Sequence, residues 1–591
     1  MSHDVLLSGC ASTPLAHYLK SLGVLRLVAE QADPEALASW RDGGFRLRSK
    51  LDAAALERFF LEDYQPTPLV APWNGGSGFY PSDNKRGLTS LATSSATRFQ
   101  PFAEAIALAQ RLVAGLESSP KEGAKVRMLA EARRTWSAGA LDWLMAATVI
   151  SGDDWFELPA LLGTGGNDGR LDYTNNFMQR LCELFDATTG EASVHAAPML
   201  DAALFGTTTH GLAGTAIGQF HPGSAGGVNG AAGFVGNALV NPWDFVLMLE
   251  GAIAFRVAAV RRLDARGLPQ ASAPFAVRGR AGGYASAAAV DESTRGEQWL
   301  PLWNAWASWS EIRGLFAEAR MQSGERRAEV ATDAARAIAG LGVARGITAF
   351  ERYGFIERNG QANLAVPLGR WPVAAQPRME LLDDIAEWVE QLRRASQAKG
   401  AAASLGRIVR SIEAAIFAVC RDGDVRDRWQ ALLMVLVEAE VALVRRPRAT
   451  AEAYLGPIPS LSPGWLDRLG DTPEVRIAAA IASQTAPAPS GLGPIRVHCL
   501  PLAAPRFERF EKGESGLVRD PRVVWTTEDP TIGLARVVQR RITDAQKVGA
   551  GFGLVPRWSA PVADLEAFVA GRVDTGRLGA LARGLMALRW S

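Results

Sequence analysis

The stretch Leu161–Leu181, LLGTGGNDGRLDYTNNFMQRL, gathers glycine, asparagine, aspartate and arginine just ahead of a helix-like run. Three chemistries could use such a segment. A phosphate-binding P-loop needs a lysine for the β/γ-phosphates and a hydroxyl for magnesium, and GTGGNDGR has neither in place. A dinucleotide loop needs its glycines between a strand and a helix, whereas Pro159 marks the preceding segment as loop or helix end. The acids Asp153, Asp154, Glu157, Asp168 and Asp172 could hold two magnesium ions for phosphodiester cleavage. The plainer use of such acids is a helix cap at Asp153-Asp154 and an Asx-turn at Asp168. The six histidines show no paired ligand spacing, and no serine or cysteine sits in a nucleophile elbow.

Polymer binding is the third chemistry. Glycines let a backbone approach a sugar-phosphate chain closely, and Asn167, Arg170, Asn175 and Asn176 offer donors to phosphates or base edges. The same logic applies to Asn74-Gly75-Gly76 with Lys85-Arg86, and to Arg278-Gly279-Arg280. Each group reads equally well as a loop that satisfies its own backbone.

Composition bounds these readings. At 591 residues the chain has room for three or four domains, and 48% hydrophobic residues suffice for sizeable cores. A net charge of +1 argues against a histone-like or strand-coating protein but allows local basic patches. The four cysteines are far apart without metal or redox spacing, as expected for a reduced compartment. VLLSGC mimics a lipoprotein box, but Asp4 and the short apolar run do not make a signal. The apolar run Pro242–Val260 carries Asp244, Glu250 and Arg256, so a buried helix is expected and not a membrane span.

The elements that must position these residues give an α+β, predominantly helical, multidomain protein. A mixed α/β N-terminal region (1–290) holds the glycine/asparagine loops, followed by a helical segment plus hairpin (291–375). A C-terminal-half helical bundle (376–450) and a small α/β end region (451–591) complete it. Strands are expected at Val5–Leu7 and Phe45–Leu47, and a helix after Pro14 with Leu15, Leu19, Leu22, Leu25 and Val28 on helical spacing. Asp52 should cap the next helix. Helices are expected over Phe102–Leu116, Val126–Ala147 and Asn175–Phe185, and from Asn241-Pro242 to about Leu263. Ala273–Val290 reads as a hairpin. A long helix is expected from Glu297, where Trp299, Trp303, Trp306 and Trp309 form a core stripe. Residues 350–373 read as a helix end and then a hairpin turning at Asn359-Gly360. Met379–Arg445 has helical period throughout, and Ile495–Pro501 reads as a strand.

Several long stretches together carry a resemblance: GCASTPLAHYLKSLGVLRLVAEQADPEA, PTPLVAPWNGGSGF, LLGTGGNDGRLDYTNNFMQRL and RYGFIERNGQANLAVPLGR. They resemble the large subunit of the type I-G (formerly type I-U) CRISPR effector, over essentially the whole chain to LARGLMALRW. The resemblance implies a cytoplasmic antiviral role in a Cascade ribonucleoprotein of guide RNA-loaded backbone subunits. Its large subunit would contact the protospacer-adjacent motif of target double-stranded DNA, assist duplex opening and R-loop formation, and receive a helicase-nuclease. It implies no catalytic residue, cofactor, metal or membrane. On that reading Asn74, Lys85, Arg86, Asn167, Arg170, Asn175, Arg278 and Arg280 are the expected DNA or motif contacts. Arg358, Arg393, Arg394, Arg407 and Arg410 would meet the displaced strand or the backbone subunits. The bundle resembles a small subunit, and Met321, Met379 or Met434 could start a separate one. The rival expectations are a metal-dependent nuclease using the Asp153–Asp172 acids, and a purely structural scaffold.

Overall fold

The computed structural model describes all residues except 1, 42, 152–154, 158–160, 163–165, 169–170, 213, 215–219, 225–238, 257, 261–269, 273–274, 278–295, 319–321, 324–325, 328–329, 342–345, 359–361, 377, 399, 486–491, 528, 550–553 and 591. The chain forms two compact units. One takes Met1–Ala281, Ser286–Ala334 and Val343–Val373, and the other Gly282–Ala285, Ala335–Gly342 and Ala374–Ser591.

The chain opens with β1 (His3–Leu7), α1 (Leu15–Gln31), β2 (Leu37–Arg41), β3 (Gly44–Ser49) and α2 (Ala53–Arg58). Helix α1 is buried on nearly every side, Lys20, Ser21 and Arg26 included, and Leu15, Leu19, Leu22, Leu25 and Val28 are fully buried. Asp52 caps α2 by accepting from the Ala55 amide at 2.8 Å. Then come α3 (Arg86–Ala92), α4 (Gln100–Leu112), α5 (Glu122–Thr135) and α6 (Ala138–Ala147). The ribbon β4 (Val149–Ser151)/β5 (Trp155–Glu157) and the ribbon β6 (Asn167–Asp168)/β7 (Leu171–Asp172) lead into α7 (Tyr173–Leu184). Helices α8 (Ala196–Phe205) and α9 (Pro242–Ala252) follow, then the ribbon β8 (Ala258–Val260)/β9 (Gln270–Ser272).

Glycine sets the closest approach in this core. A Cβ on Gly23 of α1 would lie 2.1 Å from the Leu247 carbonyl of α9, and one on Gly251 would lie 1.8 Å from the Leu19 carbonyl. Neither helix could approach the other with any side chain there. Beside this crossing the buried Glu250 carboxylate accepts from Tyr64 Oη, Thr67 N, Thr67 Oγ1 and Arg26 Nη1 at 2.6–2.9 Å. A buried charge is tolerated because every lone pair is used.

The remaining elements of the first unit close two antiparallel sheets. They are β10 (Ala276–Val277), β11 (Glu297–Trp303), β12 (Ala307–Ser308) and α10 (Trp309–Glu318), followed by the ribbon β13 (Gln322–Ser323)/β14 (Arg326–Arg327). Helix α11 (Ala331–Leu341), whose residues from Ala335 on belong to the second unit, precedes the hairpin β15 (Ile347–Arg358)/β16 (Ala362–Pro372). One sheet runs β1-β3-β2-β12 and the other β10-β11-β15-β16.

In the second unit, α12 (Asp383–Gln397), α13 (Ala403–Arg421) and α14 (Arg426–Val444) form the expected bundle. It continues through α15 (Pro447–Glu452), α16 (Gly464–Leu469), α17 (Pro473–Ala482), the ribbon β17 (Lys512–Gly513)/β18 (Gly516–Leu517), α18 (Pro530–Lys547), α19 (Val562–Val569) and α20 (Thr575–Leu585). Trp429 and Trp465 meet edge to face at 5.3 Å in its core. The protein is thus α+β and predominantly helical.

Six local expectations are corrected. The tryptophan-rich run from Glu297 is a strand, not a helix. All seven β11 residues are buried, so it shows no two-residue alternation, and chance spacing of tryptophans imitates a helical stripe. Pro301 is tolerated in this strand because β10 pairs only with Glu297 and Gln298. Ala276–Val277 pairs with β11 instead of within its own hairpin, and 278–295 lie outside the described residues. The supposed helix end at 350 is the strand β15, although the hairpin with β16 stands. Val126–Ala147 is two helices broken at Trp136-Ser137, and the helix from Pro242 stops at Ala252 with a short 3-10 turn to Phe255. Ile495–His498 is a 3-10 turn, not a strand. Strand β2 was not foreseen; LASWR is too short to show a period.

Candidate nucleic-acid interface

The glycine/asparagine loops of the first unit are joined by one buried polar cluster. Asp172 caps α7, accepting from the Asn175 amide at 2.9 Å and the Thr174 hydroxyl at 2.6 Å. Its second oxygen faces Asn74 Nδ2 at 3.5 Å. Asn74 Oδ1 in turn faces Lys125 Nζ on α5 at 3.4 Å. Asn175 Nδ2 donates to the carbonyls of Gly76 (2.7 Å) and Asn84 (3.0 Å). Burial pushes the Asp172 carboxyl up to about 6, against the lowering effect of its hydrogen bonds from Thr174, Asn175 and Asn74. Burial also lowers Lys125.

A second carboxylate shapes the loop from within. Asp83 accepts from the amides of Gly76, Gly78 and Tyr80 at 2.9, 2.9 and 3.2 Å. Gly76 and Gly78 have φ of +82° and +94°, which only glycine adopts without strain. Gly166, at φ +97°, carries the neighbouring loop past Trp143. A Cβ there would lie 3.0 Å from the indole and 3.7 Å from Asn74 Nδ2.

The expected contacts therefore divide. Asn74 and Asn175 are each 4% exposed, and their amides are committed to holding the loops. Lys85 and Arg86 are exposed where the loop enters α3. Asn167 lies in β6, and its side chain is outside the described residues, as are Arg170, Arg278 and Arg280. Asp172 belongs to the acids of the nuclease reading, but it is buried and serves as a cap. Asp153 and Asp154 lie outside the described residues. No group of three or more His, Cys, Asp or Glu suited to a metal occurs among the described residues.

A groove of about 640 Å³ opens between α4 and α5 beside this loop. Arg111, Lys121 and Arg127 line it, over Leu112 and Met128. Ser119 on its rim lies 3.5 Å from where a Cβ on Gly75 would sit, so groove and loop are contiguous. Its signature in the sequence is the basic run KEGAKVR.

In the second unit Arg393 is 8% exposed and ties α12 to α13 through Glu413 at 2.8 Å, with Glu390 on its other side. Arg394 is exposed and pairs with Glu390 at 3.0 Å. Arg407 and Arg410 are exposed on α13, and Arg407 lines a smaller groove with Ser411 and Glu438. In the first unit Arg358 ends β15 with its side chain outside the described residues, while Arg370 pairs with Glu351 at 3.1 Å. The four cysteines are free. No helix among the described residues is long and apolar enough to cross a membrane. No family model matches the chain, and no curated protein matches it either.

Proposed function

We propose that this chain is the non-catalytic large subunit of an RNA-guided DNA surveillance complex in antiviral defence. In this reading it works in the cytoplasm with guide RNA-loaded backbone subunits. It contacts a short duplex motif flanking the target, helps open the duplex for R-loop formation and receives a helicase-nuclease. The guide reads the sequence by base pairing, so the protein needs local, pre-organised contacts and not a basic surface throughout. Four long sequence stretches support the reading. The structural observation that carries it is the buried Asn74–Asp172–Asn175 clasp, which fixes two glycine-rich loops and leaves Lys85 and Arg86 exposed at their rim. Rigid presentation of a few cations suits gripping a duplex backbone at a fixed register.

The test is target-DNA binding by the guide-loaded complex with and without this chain, on matched targets that carry or lack the flanking motif. Omission should abolish motif preference. Lys85→Ala/Arg86→Ala should weaken binding and flatten its dependence on log salt by roughly two units, about one per lost phosphate contact. Asn167→Ala/Arg170→Ala separates base reading from backbone grip, since it should erase the preference while leaving the salt dependence nearly intact. If omission changes nothing, the reading fails.

A further inference from the structure

We propose that the outer face of the β1-β3-β2-β12 sheet binds a single-stranded nucleic acid segment, with Trp306 stacking on a base and Arg41, Arg46 and Arg48 holding phosphates. Alternate strand residues share a face, and here the alternation is clear. Phe45 and Leu47 of β3 are buried against the core while Arg46 and Arg48 turn outward. The register sets Asp4 and Leu37 opposite Arg48, and Leu6 and Ser39 opposite Arg46. Ala307 lies opposite Ala38, so Trp306, one residue earlier, falls beside Ser39 on the outer side.

Trp306 is the partly open member of a tryptophan set whose others, Trp299, Trp303 and Trp309, are buried. The Arg48 guanidinium lies 3.9 Å from its ring centroid and that of Arg41 lies 5.1 Å away. Beneath this layer Ser39 is fully buried, and its hydroxyl has no hydrogen-bond partner among the described residues. Among the described residues the acids at the face are Asp4, 2.9 Å from Arg46 Nε and 3.8 Å from Arg48 Nη2, and Glu311, which holds Ser308 at the β12 end. Among the described residues of the face, Arg41, Arg46 and Arg48 outnumber these two acids. Leu6, at 40% exposure, is its large exposed aliphatic residue, too little for an apolar protein contact. An indole among guanidinium groups on an open sheet is the chemistry that grips unpaired bases and their phosphates. A duplex, whose bases are stacked on each other, offers the indole nothing. This surface is separate from the clasped loops and does not depend on the function proposed above.

The experiment is fluorescence anisotropy with the full chain alone, using labelled mixed-sequence single strands of about ten nucleotides, RNA and DNA, and the matching duplex. Single strands of one or both sugars should bind better than duplex. Trp306→Ala should weaken that binding by roughly fivefold to a hundredfold, and Trp306→Phe should restore most of it. Arg46→Ala/Arg48→Ala should lower the salt slope by about one to two units. Asp4→Asn should tighten binding, a gain that a misfolded variant cannot produce. If the chain prefers duplex or binds no single strand, or if Trp306→Ala and the arginine pair bind like the parent, the proposal is wrong.

Discussion

In the clasped loops Asn74 and Asn175 are almost wholly buried, and their amides hold the chain's own backbone and carboxylates. On the outer face of the β1-β3-β2-β12 sheet, the Arg46 and Arg48 side chains remain 25% and 38% exposed, Arg48 lying over a partly open indole. Both regions are rich in donors. The loops use theirs because irregular backbone has no ladder to satisfy it and must recruit side chains. The sheet satisfies its backbone through strand pairing, so its outward side chains interact with one another across the surface instead of serving the backbone. A concentration of polar residues thus locates structure in the one case and surface in the other, and the backbone around it decides which.

This contrast breaks first if the clasp is cut. Asp172→Ala removes the α7 cap and takes the acceptor from the Asn175 amide and the Thr174 hydroxyl in a buried site. The expected cost is about 3 kcal/mol, from a lost cap plus unmet buried donors. Thermal or denaturant unfolding of the parent and the variant checks it. A change under about 0.5 kcal/mol would mean the polar cluster does not hold the loops.

A finer probe is acid. Asp172 has a folded pKa of about 6, above its ordinary 3.8. Between those values the folded form holds a proton that the unfolded form has released. Its contribution to stability is therefore present at low pH and is lost as pH rises through about 6. His17 and His498, lowered to about 4 by burial, act oppositely over the same window: the unfolded state gains protons as pH falls below 6.5, and stability drops. Asp172→Asn keeps a side-chain oxygen for the cap and deletes the carboxyl titration, at the cost of an NH2 group in place of the oxygen that faces Asn74 Nδ2. The variant should lose stability more steeply than the parent between pH 6.5 and 4, by about 1–3 kcal/mol across the window. Unfolding curves at several pH values measure it. Parallel pH profiles would show that Asp172 titrates normally.

Much of the fold was legible where local signals are strong. Pro14 with its leucine period marked α1, Asp52 marked α2, and Asn241-Pro242 marked α9, because caps and apolar period act within a turn or two. The buried strand β11 was not legible, since a strand covered on both faces has no alternation to read. At the candidate site, composition picked out the right loops but could not assign their side chains. Asn74 meets Asp172 across 98 residues, and no local pattern foretells that pairing. Asp83 fixes the glycine loop from three residues beyond Tyr80, where an acid after a glycine run binds successive amides. The Arg46/Arg48 alternation was visible in GFRLRS, but it gained meaning only when the register brought Trp306 alongside.

The smallest effect separates the two regions most cleanly. Arg48→Ala removes a side chain whose ion pair with Asp4 is loose, at 3.8 Å, and solvent-exposed. Such pairs contribute little because screening and side-chain entropy offset the attraction. The cation–π contact with Trp306 adds a similarly small amount at this exposure. The stability of Arg48→Ala should therefore stay within about 1 kcal/mol of the parent, in contrast to Asp172→Ala. Denaturant midpoints of the two variants under one set of conditions make the comparison. A loss at Arg48 as large as at Asp172 would mean the sheet's outer face is structural scaffold like the loops, its arginine committed to holding the fold.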